Sequence, residues 1–278
     1  MVLAAGLGER LRASTGEPKP LTRVLGLSLA ERVMCTLHEA VDIRRFVVTV
    51  GHEAETVRRH FTDIARYRGL AVEFVEAEDW QRGNGASALA ARERTGKLPF
   101  FLVMSDHLFV PAIAQALVSN PPAPGEMCLA VDGDKTVAFD LDDLTRVRSD
   151  HGRITEIEKN LAPWDAGDTG GRLCTAGLFE GLERAAEQGK HGLSDGVREL
   201  ARERRARVVD VSGRPWLDVD TPQALREAER RLMRDQGGKT RDGPISRHLN
   251  RPVSVWMTRY LVRTAVTPNQ ITMASSLL

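Results

Sequence analysis

The stretch VLAAGLGERLRASTGEPKPL, residues 2–21, places an apolar segment, a glycine turn, an arginine and a Pro-Lys-Pro sequence close together. Its first four residues have the composition of a buried strand. Gly6 and Gly8 follow, and glycines allow the backbone to turn tightly and bring its N–H groups against phosphate oxygens. Arg10 and Lys19 add positive charge beside the turn. The stretch therefore predicts a strand followed by a nucleotide-binding loop.

Strand-like and helix-like segments alternate after this loop. Ser28 has the residue type of a helix N-cap, and Pro111 is suited to the first position of a helix. We predict strands at Arg45–Val50, 71–75 and Phe100–Met104, and helices from Ser28 to Val41 and at 53–67, 86–94 and 111–118. Such alternation indicates a mostly parallel sheet with helices on both faces.

From Met127 the pattern changes to short strands joined by glycine and aspartate turns. We predict strands at 128–131, 136–140, 145–148 and Arg153–Glu158, helices at 182–188 and 194–204, a strand at 207–211 and a last helix from 221 to about 234.

The overall composition excludes several classes of protein. The 278 residues carry 39 basic and 38 acidic side chains, a net charge of +1, whereas nucleic-acid-binding domains are usually strongly basic. Cys35, Cys128 and Cys174 lack the spacing of a disulfide framework or a zinc site, so we expect core thiols in a reducing cytoplasm. The sequence contains neither a signal peptide nor an apolar run of about 18 residues that could cross a membrane.

The sequence from Ala4 to Leu21 resembles the signature A-A-G-x-G-x-R-(x)n-P-K-P-L of the nucleotidyltransferases that make NDP-sugars and CDP-alcohols. The resemblance implies an α/β fold, Rossmann-like and of the GT-A type, with a mostly parallel mixed sheet and helices on both faces. It implies that Arg10 and Lys19 are catalytic and neutralise the phosphates of a nucleoside triphosphate, whose α-phosphate a phosphorylated acceptor attacks. The loop residues implied in nucleotide binding are Leu3, Ala4, Ala5, Gly6 and Gly8.

A dinucleotide-binding turn in a dehydrogenase is the alternative for this loop. Leu11 stands where that fingerprint has its third glycine, and Val50-Gly51-His52 supplies no acidic residue at the end of the second strand. A requirement for Mg²⁺ would separate the two interpretations, because hydride transfer does not need the ion.

Two aspartates are the expected ligands of the cofactor Mg²⁺, which neutralises charge at the α-phosphate in such reactions. Asp106 follows the apolar strand Phe100–Met104, at the strand end where open α/β sheets bind ligands, and the family has a metal aspartate there. The phrase WLDVDTP, residues 216–222, resembles the second metal element and implies Asp220. Asp218 is a competitor because alternate strand residues face the same side. The structural alternatives are that Asp106 is an N-cap or turn residue and that Thr221 or Asp220 caps the last helix.

Residues 80–87 join a glycine-rich turn to a helix start, which directs several backbone N–H groups to one place. The resemblance implies that this segment recognises the base of the nucleotide, and the residues implied are Gly83, Asn84, Gly85 and Ser87. A plain capped helix is the alternative.

We expect a second group of residues to bind the phosphorylated acceptor. Glu158-Lys159-Asn160 resembles the family's E-K-P element, with Asn in place of Pro. In the family this lysine, a catalytic residue, holds the acceptor phosphate, and the glutamate lies near the ribose. Asp168 and Thr169 have family counterparts that line the acceptor pocket.

The C-terminal part of the chain differs in character. Residues 235–243 have linker composition, and residues 244–278 alternate basic, aromatic and aliphatic side chains, which is typical of an interfacial amphipathic helix; a packed terminal helix is the alternative. The phrase TPNQIT, residues 267–272, resembles the start of CDP-alcohol phosphatidyltransferase membrane domains. We therefore expect a catalytic domain at 1–234 and a truncated membrane-domain start at 244–278, as the front half of a two-enzyme protein.

Domain and tail together resemble the bifunctional inositol-1-phosphate cytidylyltransferase / di-myo-inositol phosphate phosphate synthase family. This resemblance implies CMP transfer from CTP to inositol 1-phosphate by a cytoplasmic domain that the full-length protein tethers at the inner membrane face. The expected partners are CTP and inositol 1-phosphate, without nucleic acid, and a homodimer is one candidate assembly. The alternatives are another phospho-alcohol such as phosphocholine or glycerol phosphate, a sugar-1-phosphate nucleotidyltransferase and a non-catalytic nucleotide-sensing module.

Overall fold

The computed structural model describes residues 1–95, 98–135 and 139–237. Most of the strand predicted at 136–140, and the predicted linker and membrane-domain start beyond residue 237, lie outside the described residues. The last described helix runs to Gly237 and so includes the start of the predicted linker.

Strands and helices alternate through most of the described chain. The strands are β1 (Val2–Leu3), β2 (Arg23–Val24), β3 (Leu27–Ser28), β4 (Arg45–Val50), β5 (Ala71–Glu76), β6 (Phe100–Met104), β7 (His107–Phe109), β8 (Met127–Asp132), β9 (Arg146–Asp150), β10 (Arg153–Glu158), β11 (Ala166–Cys174), β12 (Ala206–Asp210) and β13 (Trp216–Asp218). The helices are α1 (Glu9–Thr15), α2 (Leu29–Val41), α3 (Ala54–Arg68), α4 (Asn84–Ala90), α5 (Arg92–Thr95), α6 (Pro111–Ser119), α7 (Gly177–Glu187), α8 (Leu193–Arg202) and α9 (Pro222–Gly237).

A nine-stranded sheet runs through the molecule in the order β5-β4-β1-β6-β11-β8-β12-β10-β9. The part formed by β5, β4, β1 and β6 is wholly parallel. Beyond it, β11 is antiparallel to β6 and β8, β8 and β12 are parallel, and β10 is antiparallel to β12 and β9. The predicted α/β class with a mixed sheet is confirmed. More of the strand pairs are antiparallel than predicted. Parallel neighbours require a crossover connection such as a helix, and β8 to β11 follow one another without one.

Helices cover both faces of the sheet, as predicted. Alternate residues of the central strands point to opposite sides, so Leu3 and Leu102 belong to one buried cluster and Val2 and Val103 to the other. Helices α4, α7 and α8 complete the first cluster, and α2, α3 and α6 complete the second. None of the helices in the described part of the chain combines the length and the apolar composition that a bilayer crossing requires.

A two-stranded ribbon outside the main sheet carries Asp218, and Asp220 follows it two residues later. β13 pairs antiparallel with β7, and this register places Asp218 opposite His107. Because β7 follows β6 after a two-residue turn, the ribbon brings residues 216–218 back to the carboxyl end of β6. A third cluster, which includes Leu11 of α1 and Ala228 of α9, packs beside the ribbon.

Candidate active site

A cavity of about 290 Å³ opens beyond the carboxyl end of β6. Its walls come from distant parts of the sequence: the first loop and α1, the end of β6, the segment before β9, the end of β10 and the segment after β13. The predicted residues that line it are Arg10, Lys19, Asn84, Asp106, Lys159, Asp168 and Asp220.

Arg10 of α1 and Lys19, which follows α1, meet the two predicted metal aspartates. Lys19 Nζ lies 2.5 Å from Asp106 Oδ2 and also contacts Asp220 Oδ1. Arg10 Nη2 lies 2.7 Å from Asp220 Oδ2. The side chain of Lys19 is only 13% exposed, so its charge is held inside the cavity by carboxylates rather than by water. Four residues that lie between positions 10 and 220 of the sequence therefore form one cluster.

Asp106, His107 and Asp218 form an adjoining group whose ligand atoms all lie within 4.8 Å of one another. His107 Nε2 is 3.3 Å from Asp218 Oδ2 and 3.9 Å from Asp106 Oδ1. Burial disfavours the charged imidazole, but the carboxylates of Asp218 and Asp106 raise the pKa of His107 overall. The ring rests on Gly170, where a Cβ would lie 1.5 Å from His107 Nδ1, so only glycine fits beneath it.

The donor set suits a divalent cation that prefers oxygen ligands. Asp106 Oδ1 and Asp218 Oδ1 are buried and lack a hydrogen-bond partner among the described residues. Orphaned carboxylate oxygens of this kind are ready ligands for such an ion. Asp220, in contrast, accepts from Lys19 and Arg10. Asp106 could therefore hold a cation together with either Asp218 or Asp220, and the geometry allows both pairs.

The side of the cavity near Lys159 contains a carboxylate that the sequence analysis missed. Asp143 Oδ2 accepts from Arg10 Nη2 at 2.6 Å, and Asp143 Oδ1 contacts Lys159 Nζ. Partial burial opposes ionisation, but the hydrogen bonds from Lys159 and Arg10 lower the pKa of Asp143 overall. The one sequence signal for Asp143 is its position among the three aspartates of FDLDD, residues 139–143. Glu158, by comparison, is exposed and does not line the cavity.

Asp168 and Thr169 lie on β11 and make internal contacts. Asp168 pairs with the buried Arg172, and its Oδ1 accepts from the N–H of Gly170 at 2.7 Å. The Thr169 hydroxyl donates to the carbonyl of Ala130 at 2.9 Å and lies outside the cavity lining. Arg172 also lines the cavity, and sequence reasoning missed it because the signal for β11 itself is weak.

The segment predicted to read the base packs closely against the start of α8. Cβ atoms at Gly83 and Gly85 would lie 2.5 and 2.6 Å from the carbonyl oxygen of His191. A larger residue would clash at either position, so packing alone accounts for both glycines. Asn84 Oδ1 accepts from the N–H of Leu193 at 2.7 Å, while Ser87 is buried and donates to the carbonyl of Gly83. A role in base recognition stays a prediction for all four residues.

The first-loop residues occupy two environments. Leu3, Ala4 and Ala5 are buried at the end of β1, where the carbonyl of Ala5 accepts from the N–H of His52. Gly6 is exposed, and a Cβ there would meet nothing within 4 Å. The space beside Gly6 is therefore open to a ligand. Gly8 lies next to Lys19.

A strand-end loop with two basic residues, set against strand-end carboxylates in a mixed α/β sheet, defines the class of nucleotidyltransferases. The chain belongs to the family of MobA-like NTP transferase domains, whose model matches residues 1–240.

Named relatives and a solved structure agree with this family. Proteins named bifunctional IPC transferase and DIPP synthase are 40% identical over 275 residues in Rubrobacter xylanophilus and 34% identical over 280 residues in Aquifex aeolicus, alignments that cover 99% and 100% of this chain. The chain spans 61% of the length of each of these relatives. The structure of the inositol-1-phosphate CTP transferase from T. maritima superimposes with a TM-score of 0.72 at 23% identity, covering 96% of both chains, and supports the fold.

Proposed function

We propose that this chain transfers CMP from CTP to inositol 1-phosphate and releases pyrophosphate. The observation that carries the proposal is the cluster in which Lys19 and Arg10 meet Asp106 and Asp220 at the end of β6. This cluster combines fixed positive charge with carboxylates that can hold a cation, which nucleotidyl transfer needs. The IPC transferase names of the relatives, and the inositol-1-phosphate CTP transferase from T. maritima that shares the fold, support CTP as donor and inositol 1-phosphate as acceptor.

In the proposed reaction, an oxygen of the acceptor phosphate attacks the α-phosphorus of CTP in line with the leaving group. One P–O bond forms, the bond from the α-phosphorus to the bridging oxygen breaks, and pyrophosphate leaves with the electron pair. Lys19 and Arg10 stabilise negative charge on the triphosphate, and Lys159 orients the acceptor phosphate. Mg²⁺ would be held by Asp106 together with Asp220 or Asp218 and would supply further charge neutralisation at the α-phosphate.

The proposed acceptor suits the polar wall of the cavity. Inositol hydroxyls need hydrogen-bonding partners. Asp168 lines the cavity while it accepts from Gly170 and Arg172, and Thr145 and Ser194 are further polar residues of the lining. A choline headgroup would instead need an aromatic cage. Phe139 and Trp216 are the aromatic residues among those that line the cavity in the described chain, and Trp216 Nε1 donates to Asp132 at 2.8 Å.

The arrangement of the longer protein is part of the same proposal. Residues 1–234 form the catalytic domain, 235–243 the linker and 244–278 the start of a membrane domain that tethers the enzyme at the inner membrane face. The composition of the tail supports this arrangement. A homodimer is one candidate assembly.

Pyrophosphate release tests the proposal. The purified chain would be assayed with Mg²⁺ and each of CTP, UTP, GTP and dTTP, against inositol 1-phosphate, phosphocholine and glycerol 3-phosphate. We expect turnover with CTP and inositol 1-phosphate, its loss in Asp106→Asn, and retention in Asp63→Asn, a matched change on the exposed surface of α3. Turnover with another nucleotide and acceptor would assign different substrates to the enzyme. Nucleotide binding without turnover would favour a sensing module.

A further inference from the structure

Asp143 is a cavity carboxylate with no part in the reaction described above. It joins Arg10, on the helix that follows the glycine loop, to Lys159, at the end of β10. Both cations are ones that the proposed function assigns to phosphate groups. A carboxylate therefore occupies the position between two phosphate-binding side chains.

The backbone at Asp143 is fixed, whereas its side chain is accessible. Asp140 Oδ1 accepts from the N–H of Asp143 at 3.3 Å. The following residue, Leu144, is buried against Gly167 of β11. The side chain of Asp143 lines the cavity and is 28% exposed. It can rotate away from both cations without movement of the main chain.

The two ion pairs of Asp143 belong to the weak, solvent-screened kind. Arg10 is 52% exposed and Lys159 is 58% exposed. A phosphate dianion carries more charge and more acceptor oxygens than one carboxylate, so it makes stronger charge-assisted hydrogen bonds to the same cations. Phosphate that enters between them also repels the carboxylate. The competition therefore favours phosphate.

We propose that Asp143 holds Arg10 and Lys159 in the place of a phosphate group and is exchanged for that phosphate when it binds. The assignment of the phosphate to a substrate rests on the proposed function, whereas the exchange itself does not. Asp143 is thus a positioning residue that keeps Arg10 and Lys159 on opposite sides of the place where the phosphate binds. It also selects for phosphorylated ligands, because an uncharged alcohol cannot displace it.

Calorimetric titration with inorganic phosphate tests the exchange on the full chain. Asp143→Asn removes the competitor, so we expect it to bind phosphate about three- to tenfold more tightly than the unmodified chain. Asp142→Asn removes the same charge one residue away, at an exposed position, and should change affinity much less. The gain from Asp143→Asn should shrink in a Lys159→Met background, because one of the paired cations is then missing. Equal or weaker binding by Asp143→Asn would overturn the proposal.

A crystal structure of the unmodified chain with inorganic phosphate gives a second test that does not depend on a folded variant. We expect phosphate between Arg10 and Lys159, with Asp143 turned away from both. Phosphate elsewhere, with the Asp143 bridge intact, would overturn the exchange. Neither measurement needs turnover, so failure of the CTP and inositol 1-phosphate assay would overturn the proposed function and leave this result standing.

Discussion

Lys19 illustrates how single residues define the cavity. Its ammonium group reaches two carboxylates that are 87 and 201 positions away in the sequence, and it is largely shielded from water. In this structure the two carboxylates balance the charge of Lys19 inside the cavity. Binding of a triphosphate would offer Lys19 and Arg10 new partners, and the oxygens of Asp220 would then become available to a cation.

The first prediction at this scale concerns the second metal ligand. In the presence of CTP, we expect Asp220→Asn to weaken Mn²⁺ binding by at least about tenfold, because it removes a ligand oxygen beside Asp106. Asp218→Asn should weaken it less, since Asp218 faces His107. Titration of free Mn²⁺ by electron paramagnetic resonance measures both. The reverse order of the two variants would assign the site to Asp218.

A second residue-scale prediction concerns Gly85. A Cβ at this position would lie 2.6 Å from the carbonyl oxygen of His191, so Gly85→Ala must push α4 away from α8. We expect a loss of about 1–3 kcal/mol in the free energy of unfolding, measured by urea denaturation. Gly6→Ala is the control, because its Cβ meets nothing within 4 Å. Equal stability of both variants would contradict the tight contact.

At the scale of elements, Glu126 connects the start of β8 to the start of β10. Its Oε1 accepts from Arg153 Nη1 at 2.7 Å, and Arg153 also donates to the carbonyl of Arg204. Partial burial opposes ionisation, but Arg153 and the N–H of Ala123 lower the pKa of Glu126 overall. A lowered pKa in the folded protein means that the carboxylate stabilises the fold above its ordinary pKa and ceases to do so as the pH falls.

This contact gives a prediction about pH. Glu126→Gln should lower the free energy of unfolding by about 1 kcal/mol at pH 7. The variant and the unmodified chain should approach each other in stability as the pH is lowered through the acidic range where Glu126 becomes protonated. Urea unfolding at several pH values checks the convergence. A constant difference at all pH values would contradict the role of the charge.

The elements differ in how well the sequence predicts them. The bounds of β4, β6 and β10 agree with the prediction, and the Ser28 cap is observed, with its Oγ accepting from the N–H of Glu31. Strand β11 was not predicted, because AGDTGGRLC is rich in glycine and polar residues, which have low strand propensity. It is buried along its whole length since it pairs with β6 and β8.

The candidate site shows the same division. Arg10, Lys19, Asp106 and Asp220 belong to sequence motifs, and the structure brings them together. Asp143 and Arg172 have no motif, because their places depend on contacts between β9, β10 and β11 that no local pattern encodes. Residues whose position depends on tertiary pairing are thus the ones that sequence reasoning missed.

At the scale of the whole molecule, the buried clusters lie within residues 1–228. We therefore predict that a chain cut after residue 237 folds and retains nucleotidyl transfer. Residues 238–278 carry six Lys or Arg side chains against one acidic residue, Asp242, and include Trp256 and Tyr260. We therefore expect the 278-residue chain, and not the shortened one, to sediment with vesicles of anionic phospholipid. Sedimentation of both chains alike would contradict a membrane-binding role for the tail.

The seam between β6 and β11 has a consequence for the evolution of such proteins. On one side of it lies the parallel part that carries the glycine loop, and on the other lie β8 to β10 with the connection that contains Asp143. Among the described strands, the antiparallel pairing of β11 with β6 is the one that joins these parts within the main sheet. If the proposed function holds, changes in the segment between β8 and β9 would alter the cavity wall around Asp143 and leave the parallel part of the sheet unchanged, so a lineage could acquire new acceptors without rebuilding the rest of the domain.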